Sequence, residues 1–157
     1  MTNILKYLGL ILILFIIGFL IRKHFVEISF SQLKNDNVQI VNRTINRHFY
    51  SDIIFALSIG IIPLLYLIIK KITKLSFIMQ GLISCGMIVL SGILLWQYRI
   101  FQLNLKFRKL SEYKLGNGIQ SQMYSDNLNF ELYLFIGFLF GTVLSILIFK
   151  NISKKVE

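Results

Sequence analysis

The chain has 157 residues, 55% of them hydrophobic and only 15% charged, with a mean hydropathy of +0.69. That balance excludes an ordinary soluble domain of this size. Seventeen Lys and Arg against seven Asp and Glu leave a net charge of +10, yet the basic residues flank the apolar runs as membrane anchors do, so the charge points to a lipid bilayer and away from nucleic acid as a partner.

The first apolar run, 4–21, carries one charge, Lys6, whose long stem lets its ammonium reach the interface. A lysine before an apolar core also suits a signal peptide. However, no small-residue cleavage site follows, and the run stops at Arg22-Lys23-His24, so the segment is read as a span that stays attached. His24 is read with its basic neighbours as an interfacial anchor.

A polar connection, 22–51, follows. Within it Val38, Val41, Ile45 and Phe49 recur at three and four, which predicts an amphipathic helix leading into the second span. The same stretch holds Arg43-Thr-Ile-Asn-Arg47-His48. An arginine, four residues and a histidine resemble the active-site motif of HEPN-type ribonucleases. The resemblance implies Arg43 and His48 as a catalytic pair acting on an RNA backbone, with two copies brought together by dimerisation. On its residues alone the stretch is a basic surface helix beside lipid headgroups, and that reading is preferred.

The second span, 53–69, is expected to be capped by Ser51 or Asp52. It contains Gly60 and Pro63. Proline leaves the Ile59 carbonyl without its amide partner and Gly60 lowers steric resistance, so a hinge is expected there.

Lys70, Lys71 and Lys74 mark a connection short enough to force an antiparallel hairpin with the third span, 75–97. That span is the most polar of the four. Gly81, Ser84, Cys85 and Gly92 form a small-residue packing face, and Gln80, Ser84 and Ser91 offer a polar face that several copies could arrange around a pore. Ser84, Cys85 and Ser91 lack a neighbouring general base in the span and are read as packing residues. Cys85 is the single cysteine and can form no intrachain disulfide. Zinc-type Cys/His spacings are absent, and neither a metal nor a cofactor is expected.

Trp96, Ile100, Leu103, Phe107 and Leu110 continue the stripe at alternating four and three, predicting a helix that runs on beyond the span into the connection 98–129. A strand over Phe101 to Phe107 is the minor alternative. Gly116-Asn117-Gly118 marks a turn, and Ser125 or Asp126 is the expected start of the fourth helix, with Glu131 in its first turns. Glu131 is read as a helix-start charge in water, with a pairing to Arg99 as the alternative. In the last span, 130–149, Gly137, Gly141 and Ser145 recur every fourth residue, a ladder for close helix packing. Tyr50, Trp96, Tyr98, Tyr124 and Tyr133 suit an aromatic belt.

The expected fold is an all-α integral membrane protein, 1–157 as one domain of four transmembrane helices with helical juxtamembrane extensions. The expected location is the cell (inner) membrane, with both termini cytoplasmic because the short ends are basic and nearly free of acid. The expected function is that of a non-enzymatic accessory, scaffold or sensor subunit, working as a homo-oligomer or within a larger membrane complex. A homo-oligomeric pore is the alternative.

Overall fold

The computed structural model describes the backbone of residues 2–33, 38–41, 45–73, 78–112, 121–124 and 128–156, and the side chains of 5–33, 50–73, 79–109 and 128–150. Its elements are α1 (Thr2–Ser31), β1 (Val38–Val41), α2 (Ile45–Gly60), α3 (Ile62–Thr73), α4 (Ile78–Glu112), β2 (Ser121–Tyr124) and α5 (Phe130–Val156). Among the described residues four helices are long and apolar enough to cross a membrane: α1, the α2–α3 pair, α4 and α5.

The second of these breaks where the sequence places a hinge. Pro63 has no amide to donate to the carbonyl of Ile59, and the chain turns at Ile61. The Ile61 carbonyl then accepts from both Leu64, at 2.9 Å, and Leu65, at 3.0 Å, which restarts the ladder as α3.

α4 and α5 share the most extensive packing, followed by α1 with α2. Both pairs are antiparallel, as short-range order in an up-and-down bundle requires. Gly137 meets Gly92, and Gly141 meets Ile88 and Met87. Gly18 meets Ala56, and Gly60 meets Phe15 and Ile11. The bundle core joins Phe55, Leu65, Ile69, Ile88, Leu134 and Phe138, while large side chains such as Leu5, Leu20, Leu90 and Leu94 face outward.

Two helices overrun the bundle at the same end, and they build a small head there. α1 continues past the Arg22-Lys23-His24 stop to Ser31, and α4 continues to Glu112, so the strand alternative for Phe101 to Phe107 gives way to helix. Leu33, Ile100, Leu103, Phe107, Leu128 and Phe130 form its own buried core.

The connections add one short two-stranded sheet to the helical fold. Val38–Val41 is a strand, not the first turn of an amphipathic helix, and it pairs in parallel with Ser121–Tyr124, Val38 opposite Ser121 and Val41 opposite Tyr124. Two β-branched valines and an isoleucine in four residues favour the extended chain once a partner strand is at hand. The helix follows only from Ile45.

Ser51 and Asp52 therefore lie inside α2 and do not cap it. The fourth helix likewise starts later than expected, at Phe130, while Ser125, Asp126 and the Gly116-Asn117-Gly118 turn lie outside the described residues. Asn129 precedes it with φ 51°, a left-handed conformation that asparagine tolerates better than most residues, and its carbonyl accepts from the Tyr133 amide at 3.3 Å.

Candidate functional site: an ionic knot between bundle and head

A cluster of paired charges lies where the bundle meets the head. Along α1, Gly18, Arg22, Phe25 and Ser29 are spaced at four, three and four, so they share one face. Gly18 lets α1 approach α2 closely: a methyl added there would come within 3.0 Å of the Ala56 Cα. One turn further on, this close approach brings Arg22 against α2.

Arg22 uses its planar fork to bridge two helices. Its Nη1 pairs with the Asp52 carboxylate on α2, and its Nη2 lies 3.6 Å from Glu131 Oε1 on α5. Ser51 Oγ donates to the same Glu131 oxygen at 2.5 Å. Arg22 Nε is buried without a hydrogen-bond partner among the described residues. The three charged side chains are only 12–24% exposed, so solvent screens them weakly and the pairing is firmer than that of a surface ion pair. Lys23 and His24 point the other way, at 84% and 72% exposure, and both approach Glu27.

Arg99 belongs to the neighbouring layer. It is buried, donates from Nε to the Leu128 carbonyl at 2.9 Å, and sets its guanidinium 4.8 Å from the centre of the Tyr133 ring. Glu131 is thus no helix-start charge in open water: α5 enters beside α1 and α2, where Arg22 and Ser51 both reach its carboxylate.

Hydrogen bonds and rings carry the linkage upward. Trp96 Nε1 donates to Ser29 Oγ at 3.0 Å, and Asn104 Nδ2 donates to the Gln32 carbonyl at 3.1 Å, tying α4 to the end of α1. The Phe25 ring lies 4.5 Å from that of Phe55 and 5.2 Å from that of Trp96.

The small-residue stripes are brought together within one chain. A methyl on Gly137 would come within 2.5 Å of the Gly92 Cα and 2.6 Å of the Ser91 carbonyl oxygen. One on Gly141 would come within 2.7 Å of the Met87 carbonyl oxygen and 2.8 Å of the Ile88 Cα. The same register, carried a turn further, sets the fully buried Ser84 level with the fully buried Ser145. Gly81 instead faces the Tyr66 hydroxyl of α3, Cys85 is half-buried, and a methyl on Gly86 would meet nothing within 4 Å.

The hydroxyls of these stripes stay within their own helices. Ser84 donates to the Gln80 carbonyl at 2.8 Å, Ser91 to that of Met87, and Ser145 to that of Gly141 at 2.8 Å. Ser58, Thr73 and Thr142 do the same four residues back. Backbone carbonyls therefore satisfy these buried hydroxyls, and the close helix contacts are made by packing. Gln80 is half-buried beside Gly81, away from the α4–α5 seam's centre.

Arg43 lies outside the described residues, and His48 lies on α2 with its side chain outside them. Among the described residues no group of three or more His, Cys, Asp and Glu stands together as a metal site would. The signal that would have located the knot is the Gly18, Arg22, Phe25, Ser29 face, where an arginine replaces an apolar residue on the stripe that packs. No family model, curated protein or solved structure matches this chain.

Proposed function

We propose that the chain is a small, non-enzymatic, multi-pass protein of the cell (inner) membrane, acting as an accessory, scaffold or sensor subunit whose head is the part offered to partners. The observation that carries this reading is the internal use of the small-residue and hydroxyl faces. They close the α4–α5 seam of one subunit, while a separate buried core holds the head together.

Charge spacing supports the membrane assignment. Lys6 and Arg22 on α1 are separated by about 24 Å of helix rise, and Glu131 and Lys150 on α5 by about 28 Å. Both distances are close to the hydrocarbon thickness of about 30 Å, so the knot lies at one interface and the lysines at the other. The short-connection end holds Lys6, Lys70, Lys71 and Lys150 near the span ends with no acid among its described residues, whereas Arg22, Lys23, Arg99, Lys106, Arg108 and Lys109 toward the head are accompanied by Glu27, Asp52 and Glu131. This asymmetry favours cytoplasmic termini.

The pore alternative needs Gln80, Ser84 and Ser91 around a shared axis. With Ser84 and Ser91 inside the seam and bonded to their own helix, a pore would require α4 and α5 to separate. Native mass of the purified protein, combined with ion flux in liposomes, tests the proposal. A monomer or hetero-complex without flux is expected, and a closed ring of identical subunits that conducts would overturn it.

A further inference from the structure

The opposite end of the bundle carries a polar feature of another chemistry. Because α1 runs antiparallel to α2 and α3, its first turns lie beside the last turn of α3, and a cleft of about 630 Å³ opens between them. Lys6, Lys70 and Lys71 line it together with Tyr7, Leu10 and Leu67. None of the three lysines is ion-paired in the described structure, in contrast with the neutralised Arg22. Three like charges converging on one cleft repel one another, and an anion among them relieves that repulsion.

We infer that this cleft binds a phospholipid with an anionic headgroup, its phosphate among Lys6, Lys70 and Lys71 and its acyl chain along Leu10 and Leu67. The inference rests on reading the four apolar helices as membrane spans. A soluble anion would use the lysines alone, whereas a lipid uses the cationic rim and the apolar floor together. The cleft also lies at the level where headgroups sit if the knot marks the other interface, and basic pockets between helices on the cytoplasmic side are suited to such lipids.

The test uses the full chain, delipidated in neutral detergent and titrated with phosphatidylglycerol or phosphatidylcholine, with bound lipid counted by native mass spectrometry. Phosphatidylglycerol is expected to bind more tightly, with each of Lys6→Gln, Lys70→Gln and Lys71→Gln weakening it about fivefold. Lys106→Gln and Lys109→Gln, exposed on the head side of α4, serve as controls and leave binding unchanged. Equal binding of the two lipids, or phosphatidylglycerol binding that survives the triple glutamine variant, overturns the inference. Displacement of the lipid by millimolar inorganic phosphate overturns it too, in favour of a soluble anion. Should the triple variant not fold, Lys70→Gln decides by the same criterion, beside Lys70→Arg, which keeps the charge and retains the lipid. Alkaline extraction of membranes separates the two layers of the reading: release of the wild-type chain removes the spans themselves, while retention without headgroup preference removes only the lipid site.

Discussion

Gly137→Ala probes the α4–α5 seam with a single methyl. The added carbon would stand 2.5 Å from the Gly92 Cα, 2.6 Å from the Ser91 carbonyl oxygen and 2.9 Å from the Gly92 nitrogen. All three are backbone atoms, so no rotamer change makes room and the helices must part by on the order of 0.5–1 Å, a gap that forfeits a quarter to a half of each neighbouring dispersion contact. Overpacking of this kind costs about 1–3 kcal/mol, and the rigid partners place the expected value in the upper half of that range. Gly86→Ala is the matched control on α4. A methyl there meets nothing within 4 Å, and removing a mid-helix glycine should stabilise by about 0.5–1 kcal/mol. Reversible unfolding in mixed detergent micelles, followed by circular dichroism, measures both changes, with native mass recorded alongside. Opposite signs at the two glycines are expected. A Gly137→Ala variant as stable as wild type, but of smaller native mass, would refute the internal seam and make this ladder a contact between subunits.

For the knot, a double-mutant cycle of Arg22→Ala and Asp52→Ala should give a coupling of about 1–3 kcal/mol, less than a fully buried pair because the carboxylate is partly exposed; zero coupling in the unfolding free energies would mean that the pair only decorates the interface. Pro63→Ala restores an amide that can reach the Ile59 carbonyl, so the α2–α3 break should straighten. Spin labels at Ile54 and Ile68, both exposed on either side of the break, would then move apart, and an unchanged distance would assign the bend to packing. Ser29→Ala removes the acceptor of the Trp96 indole, costing about 0.5–1.5 kcal/mol. Trp96 is the single tryptophan, so its emission reports on the head directly; emission unaltered in both wavelength and unfolding midpoint would contradict the proposed tie between α1 and α4.

Much of this arrangement is written in residues close together along the chain. Four apolar runs of sufficient length, the Pro63 break, the extension of the Trp96 stripe to Phe107, and the glycine and serine faces of α4 and α5 all follow from local periodicity and backbone chemistry. Each depends on a property of one helix by itself. Even the mating of the two small-residue stripes is foreshadowed, since faces without bulk are useful only against another backbone.

What only the tertiary structure decided is the choice among partners at equal depth. Arg22 and Arg99 both stand near the head end, and nothing local ranks them as partners for Glu131; the lateral order of the helices sets Arg22 between Asp52 and Glu131 and brings Arg99 against Leu128 and Tyr133. The parallel pairing of Val38–Val41 with Ser121–Tyr124 is of the same kind. A four-residue strand has too few residues to show its period, and its hydrogen bonds exist only once two connections, whose paired residues are 83 apart in sequence, are brought side by side. Helices satisfy their backbones internally and can be read one at a time; ion pairs and strand pairs need a second segment, and the position of that segment is a property of the whole fold.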